Sequence, residues 1–150
     1  MHLGELLLGW LQTKACKRYC LGEHRGIYIS SVKQAKGEDD AGFLRETKAT
    51  LDLLAAKDPW RFRRVQKYIR YILNSNLIWG RGQYSPGAVC KISFEQLDYK
   101  QEARGRRIYA GILVHEATHG LLRSQGLRRS RQNWERMERL WYAEQIRFLA

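Results

Sequence analysis

The segment Ile112–Leu122 places ionisable side chains at a spacing that can bind a metal ion. It reads ILVHEATHGLL, with His115 and His119 four residues apart and Glu116 directly after the first histidine. A helix advances about 100° per residue, so the two imidazoles project from one face, one turn apart, and can share one zinc ion. Glu116 points slightly aside, where its carboxylate can take a proton from a water whose pKa zinc lowers. The pattern predicts a zinc site with Glu116 as general base.

The surroundings of the motif favour a buried helix over Arg106–Gln125. Ile108, Leu113 and Val114 are apolar, and two of the four histidines of the chain fall inside the motif. Burying polar groups on a helix costs free energy unless those groups have hydrogen-bond partners or bind a metal ion. The alternative is a pair of helix histidines that hydrogen-bond locally. Gly126 is placed to end the helix as a left-handed cap, with Leu127 packing back.

A catalytic zinc site needs a third protein ligand, with the fourth position left for water. His2 and His24 lie far upstream, so a local third ligand must be a carboxylate. The last helix offers Glu135, Glu138 and Glu144. Its apolar stripe consists of Trp134, Met137, Trp141 and Phe148. Glu135 points away from this stripe, whereas Glu138 and Glu144 lie on its two edges, and their facing does not decide between them.

The two histidines, a turn and a glutamate on the following helix resemble the gluzincin branch of the zincin metallopeptidases. The resemblance covers roughly residues 88–148. The ligand spacing of that family favours Glu138, nineteen residues after His119, as the third ligand. The resemblance implies a minimal zincin, in which a short sheet precedes the active-site helix and the ligand helix. It also implies that the strand before the active-site helix, here Ala88–Phe94, lies at the cleft and can pair with an extended peptide.

The chain departs from this family around the third ligand. Met137 precedes Glu138 where the family has asparagine, and Tyr142 stands where an acidic partner often follows. The candidates for stabilising an oxyanion are Tyr142, Tyr109, His24 and the many arginines. Tyr142 is preferred, because it lies one turn from Glu138. No residue is identified that would accept the second ring N–H of a zinc-bound histidine.

The remaining pattern predicts an α+β fold in a single domain over residues 1–150. Gly26–Val32 is β-branched and aromatic and predicts a strand. Helices are expected at Phe43–Ala56 and at 58–73, where Asp58 caps and Pro59 occupies the first turn. Further predictions are a loop at Lys33–Gly42, a hairpin of Leu77–Trp79 with Ala88–Phe94, and a last helix capped by Ser130. Residues 1–75 would support the hairpin and zinc-site helices of residues 76–150.

The N-terminal segment MHLGELLLGWLQTKACKRYC predicts an amphipathic helix docked on the core or on a partner. Its apolar run contains Glu5 and is shorter than the ~20 residues of a membrane span. Basic residues follow the run, whereas in a signal peptide they precede it. An anchor on a membrane surface is the alternative.

The chain is strongly basic, with 27 Lys and Arg against 15 Asp and Glu and a formal charge of +12. This charge raises nucleic acid or an anionic surface as partners. The basic residues are spread along the chain, with their densest group at Arg61–Arg70, which favours a solvated surface. Three cysteines give an odd count, which indicates a reducing, cytoplasmic compartment.

Together these features predict a zinc-dependent hydrolase, in particular a metallopeptidase acting on peptides or proteins. One alternative is a zinc-binding protein that lacks peptidase activity and acts through a partner. The other is a basic nucleic-acid-binding module, which has only the charge in its favour.

Overall fold

The computed structural model describes residues 3–32, 40–77, 80–97, 102–127 and 133–150. These residues form an α+β fold with five helices and one five-stranded mixed sheet, which confirms the predicted class. The helices are α1 (Leu3–Arg18), α2 (Asp40–Lys57), α3 (Pro59–Tyr68), α4 (Glu102–Ser124) and α5 (Trp134–Leu149). The strands are β1 (Cys20–His24), β2 (Ile27–Ser31), β3 (Tyr71–Asn74), β4 (Gly82–Ser85) and β5 (Val89–Ile92).

The strands lie in the order β1-β2-β3-β5-β4. The central pairs β2–β3 and β3–β5 are parallel, and the outer pairs β1–β2 and β4–β5 are antiparallel. Arg25 and Gly26 join β1 to β2 with φ values of 53° and 80°. Two positive φ values in a two-residue connection are typical of a tight hairpin turn. Thus β1 and β4 are the edges of the described sheet.

Helices cover both faces of the sheet. Helix α1 contacts β2, β3 and β5, while α2 and α4 contact strands from the opposite side. Along β3 the side chains alternate between two cores: Tyr71 and Leu73 pack with Cys16 of α1, and Ile72 belongs to the larger core. That larger core includes Phe43, Leu51, Val65, Ile92, Leu113 and Phe148. The helix with the histidine motif is therefore built into the main core.

The predicted helix at 58–73 is wrong in its second half. Helix α3 ends at Tyr68, and Ile69 has extended backbone angles. Tyr71–Asn74 is a strand in which every residue is buried. A strand covered on both faces shows no alternation of apolar and polar residues, so its sequence can be mistaken for a buried helix.

The predicted hairpin is also displaced. Strand β5 lies within Ala88–Phe94 as expected, but its partner is Gly82–Ser85. Leu77 precedes that strand, and residues 78 and 79 lie outside the described ranges. Because β5 pairs with β3 on one side and β4 on the other, Ala88–Phe94 cannot offer a free edge to a peptide. Among the described strands, β4 is the edge on this side of the sheet.

Several local predictions are confirmed. The backbone N–H of Arg61 donates to the Asp58 side chain, and Pro59 occupies the first turn of α3. Gly126 ends α4 with a φ of 79°, and the Leu127 N–H donates to the carbonyl of Leu122. The predicted cap Ser130 lies outside the described residues.

The N-terminal segment forms a helix as predicted, but the expected amphipathic character is wrong, because its large apolar side chains do not form a buried face. Helix α1 docks on the sheet through small residues, with Gly9 and Cys16 buried, and its leucines and Trp10 are largely exposed. Within the described ranges, none of the helices combines the length and apolar character needed to cross a membrane.

Candidate metal centre

Polar contacts fix the first half of α4. The Arg106 guanidinium donates to both oxygens of the buried Glu46 carboxylate, at 2.7 and 3.1 Å. The hydroxyl groups of Thr47 and Tyr109 are 2.9 Å apart. Both contacts join α4 to α2, so the helix that carries the motif is anchored about two turns before His115.

The two histidines of the motif face each other. Their Nε2 atoms are 3.2 Å apart. Two nitrogen ligands at 2.0–2.1 Å from a tetrahedral zinc ion would lie about 3.3 Å apart. The Trp141 ring lies against His119, with ring centroids 3.4 Å apart, and the Tyr142 ring meets His115 edge-on at 5.0 Å. Thus α5 orients both imidazoles at a separation that suits a shared metal ion.

Burial changes the protonation of the motif. It lowers the pKa of His115 to about 4, and an interaction with Gln145 opposes that shift. It raises the pKa of Glu116 to about 8; a hydrogen bond from the Tyr84 N–H opposes this shift, and the charge of Glu138 adds to it. An imidazole that remains neutral near pH 7 keeps a lone pair for a metal. Both shifts express the same fact, that the folded protein disfavours charge on these buried groups.

The structure places the three candidate glutamates in different environments. Glu144 is 14% exposed and accepts hydrogen bonds from Arg64 at 2.8 Å and Arg147 at 2.6 Å. Glu135 is 86% exposed. Glu138 lines the same cleft as both histidines and Glu116. The arginine contacts of Glu144 and the exposure of Glu135 leave Glu138 in the most suitable position.

Glu138 is nevertheless not in the tightest group of candidate ligands. Among the described residues, that group consists of His115, Glu116 and His119, whose ligand atoms all lie within 4.8 Å of one another. Glu116 Oε2 is 3.9 Å from Nε2 of His119. The donor set of two imidazoles and a carboxylate suits zinc. The role of Glu138 as third ligand stays a prediction.

The motif opens into a cleft of about 1470 Å³. Gly82 and Tyr84 of the edge strand β4 line one side, and Glu138 and Tyr142 of α5 line the other. The contact of α4 with β4 is close: a Cβ atom on Gly82 would lie 2.5 Å from Cγ2 of Ile112 and 3.0 Å from Oε1 of Glu116. The absence of a side chain at Gly82 is therefore what lets the strand approach the motif.

The three named candidates for stabilising an oxyanion lie at different distances from the motif. Tyr142 is 55% exposed and lines the cleft, where a polar side chain can reach a substrate. Tyr109 is fully buried in the core, beside Thr47. His24 is on β1, at the opposite edge of the sheet, and pairs with Asp52. The suggestions of Tyr109 and His24 were therefore wrong, because chain position alone does not give the distance to the motif.

The basic residues of the stretch Arg61–Arg70 divide into two sets. Arg61 and Arg64 are largely buried and contact Glu144 at 3.5 and 2.8 Å. Arg63, Lys67 and Arg70 are exposed. The densest basic stretch of the sequence is therefore partly an internal ion network, which reduces the surface available to nucleic acid.

Comparison with known proteins finds no matching protein-family model, no matching curated protein and no matching solved structure. The assignment of the centre depends on its own geometry and chemistry.

Proposed function

We propose that this chain is a zinc-dependent hydrolase, a metallopeptidase that cleaves peptide bonds. The observation that carries the proposal is the 3.2 Å separation of the His115 and His119 Nε2 atoms beside the buried Glu116 carboxylate, in an open cleft. Local pairing of two histidines would explain the separation alone. It would not explain why an acidic group is buried beside them at the base of a cleft.

The zinc ligands in this proposal are His115, His119 and Glu138. Glu138 faces the cleft and lies near enough to Glu116 for its charge to raise the pKa of that carboxyl. When bound, zinc supplies a Lewis acid that polarises a carbonyl and lowers the pKa of a water. Trp141 and Tyr142 hold the two imidazoles from the α5 side.

Glu116 is the general base of the proposed reaction. Its carboxylate accepts a proton from the attacking water and returns it to the amine that leaves. The burial that raises its pKa also increases its affinity for that proton. Tyr142, exposed at the cleft wall, is the proposed donor to the oxyanion.

The substrate of this class is a peptide in an extended conformation. Strand β4 forms the edge of the described sheet and borders the cleft next to Glu116. An edge strand offers unpaired backbone groups, with which an extended chain can form a further strand. Peptide binding along β4 would bring a scissile bond past the motif.

A second candidate is a zinc-holding protein without peptidase activity. The observation in its favour is that Glu116, rather than Glu138, belongs to the tightest group of possible ligand atoms. If Glu116 binds the ion, it is no longer available as a base.

Metal content distinguishes the two candidates. Elemental analysis of the purified wild type would be compared with Glu116→Gln, Glu138→Gln and His115→Ala. We expect one zinc per chain in the wild type, zinc retained in Glu116→Gln, weakened binding in Glu138→Gln and none in His115→Ala. Zinc lost from Glu116→Gln but retained in Glu138→Gln would favour the zinc-holding protein. A wild type without zinc, even after reconstitution, would overturn both candidates.

Peptidase activity is tested separately, once zinc binding is established. We expect the wild type to cleave an unstructured protein and Glu116→Gln not to cleave it.

A further inference from the structure

The two ring nitrogens of His115 have different surroundings, and the HExxH motif accounts only for Nε2. Nε2 faces the corresponding atom of His119. Nδ1 is buried and has no hydrogen bond of normal geometry to any described residue. A metal-binding histidine normally uses its second nitrogen to donate to an oxygen, and this bond fixes the ring and its tautomer.

Gln145 is the polar side chain of α5 that interacts with this imidazole. The interaction opposes the effect of burial on the pKa of His115, although the terminal amide is not aligned for a good hydrogen bond. Gln145 lies seven residues, two helical turns, after Glu138, so both side chains are on the same face of α5. One face of α5 thus carries both the predicted third ligand and a group beside the first ligand.

A glycine on α4 makes room for this side chain. Gly111 lies one turn before His115, and a Cβ at this position would be 3.2 Å from Cγ and 3.5 Å from Nε2 of Gln145. The Gln145 side chain therefore lies against the bare backbone of α4, within the turn that leads to His115. The terminal torsion of glutamine has broad minima, so the side chain can present either its oxygen or its NH₂ group to a neighbour.

We infer that Gln145 is a positioning residue for the metal centre, whose side-chain oxygen accepts the Nδ1–H of His115. This inference rests on the proposed function. A neutral imidazole has one N–H, so a proton held at Nδ1 leaves the lone pair of Nε2 free for the ion. Gln145 thus takes the place of the acidic partner that the sequence lacks, and it does so with a neutral amide. The opposite arrangement, with the amide NH₂ donating to Nδ1, would put the proton on Nε2 and oppose metal binding.

Zinc affinity, measured by competition with a chelator, tests the inference. We expect Gln145→Met to weaken zinc binding about 10- to 100-fold, the usual effect of losing such a partner. Gln145→Glu retains an acceptor and should stay within a few-fold of the wild type. Gly111→Ala, which displaces the Gln145 side chain, should weaken binding in the same direction without removing the amide. Gln125→Met, at an exposed position just beyond α4, is the matched control and should bind like the wild type.

The imidazole ¹⁵N NMR spectrum of the metal-free protein gives a second, independent readout. His115 should carry its proton mainly on Nδ1 in the wild type and lose that preference in Gln145→Met. Equal zinc affinity and an unchanged tautomer in Gln145→Met would overturn the inference while leaving the proposed function intact. If the wild type binds no zinc, the proposed function fails. The tautomer then decides separately whether Gln145 positions His115: a change supports that role, and no change overturns it.

Discussion

Two polar clusters lie where α4 and α5 meet their neighbours. They differ in whether their acidic side chains contact an arginine. The motif cluster consists of His115, Glu116 and His119. The arginine cluster consists of Asp58, Arg61, Arg64, Glu144 and Arg147. In the arginine cluster, each carboxylate contacts a guanidinium within 3 Å. In the motif cluster, His115 and Glu116 are buried and His119 is partly buried, and Glu116 Oε2 lies 3.9 Å from Nε2 of His119.

The pKa directions express this difference. Burial raises the pKa of Glu144, but hydrogen bonds from Arg147 and Arg64 outweigh it, and the pKa lies below its usual value. Burial dominates at Glu116 and raises its pKa to about 8. A paired cluster is typical of structural ion networks, whereas buried groups held against their usual ionisation are typical of sites that receive a ligand. Two clusters of ionisable residues on neighbouring helices can therefore have different purposes: the motif cluster is on α4, whereas the arginine cluster joins α3 to α5.

The largest effect is expected from pH in the metal-free protein. The folded pKa of Glu116 is raised, so its contribution to stability is present below about pH 4.5 and is lost as pH rises to about 8. Since each pKa unit corresponds to about 1.4 kcal/mol, we expect a loss on the order of 4 kcal/mol over this range. Urea unfolding of the wild type and of Glu116→Gln at pH 5 and pH 9 would measure it as the difference between the two proteins, because the lowered pKa of His115 changes the stability of both in the opposite direction over this range. The same difference in Glu116→Gln as in the wild type would show that Glu116 is not the cause.

Breaking the arginine cluster should also destabilise the protein. Glu144→Gln removes the carboxylate that Arg64 contacts, while Arg61 keeps its contact with Asp58, and should lower the free energy of unfolding by about 3 kcal/mol at pH 7. Because the pKa of Glu144 is lowered, its contribution is present above about pH 4.5 and disappears in acid, the reverse of Glu116. Chemical denaturation measures the effect, with the exposed Glu135→Gln on the same helix as control, expected within about 0.5 kcal/mol of the wild type. Equal effects of the two variants would remove the distinction between the clusters.

Gly120→Ala tests whether close packing holds the motif cluster in place. In an isolated helix this change stabilises by about 1 kcal/mol. Here a Cβ would lie 2.7 Å from Cβ of Tyr68 and 3.0 Å from the Tyr84 ring and hydroxyl. We therefore expect a destabilisation of about 2 kcal/mol, the opposite sign, measured by thermal unfolding. Gly4→Ala in α1, where a Cβ meets nothing within 4 Å, is the control. A stabilised Gly120→Ala protein would mean that α4 can move away from β4.

The smallest change in stability is expected for Tyr142→Phe. The side chain is largely exposed, so the free energy of unfolding should change by less than about 0.5 kcal/mol. If Tyr142 donates to an oxyanion, kcat for peptide cleavage should fall by about 100-fold with zinc content unchanged. An unchanged kcat would mean that Tyr142 packs against His115 but does not stabilise the oxyanion. Measuring both quantities in one preparation separates these roles.

Local patterns in the sequence predicted much of the fold. The caps at Asp58 and Gly126, the strand around Ile27–Ser31 and the helix around the motif depend on neighbouring residues, and each is confirmed. The strand Tyr71–Asn74 was missed because both its faces are buried, which removes the alternation that identifies a strand. The edge position of β4 was missed because strand order depends on which distant segments pair.

For the centre, the sequence by itself determined that His115 and His119 share one face of a helix, with Glu116 beside that face, because i, i+4 spacing fixes the geometry of the two histidines. It also limited the local third ligand to a few glutamates. Only the tertiary structure decided that Glu144 is held by arginines, that Glu138 faces the cleft and that Gly82 and Gly111 admit a strand and a glutamine side chain to the motif. The physical reason is that these outcomes depend on contacts between segments far apart in the chain, which no local spacing records.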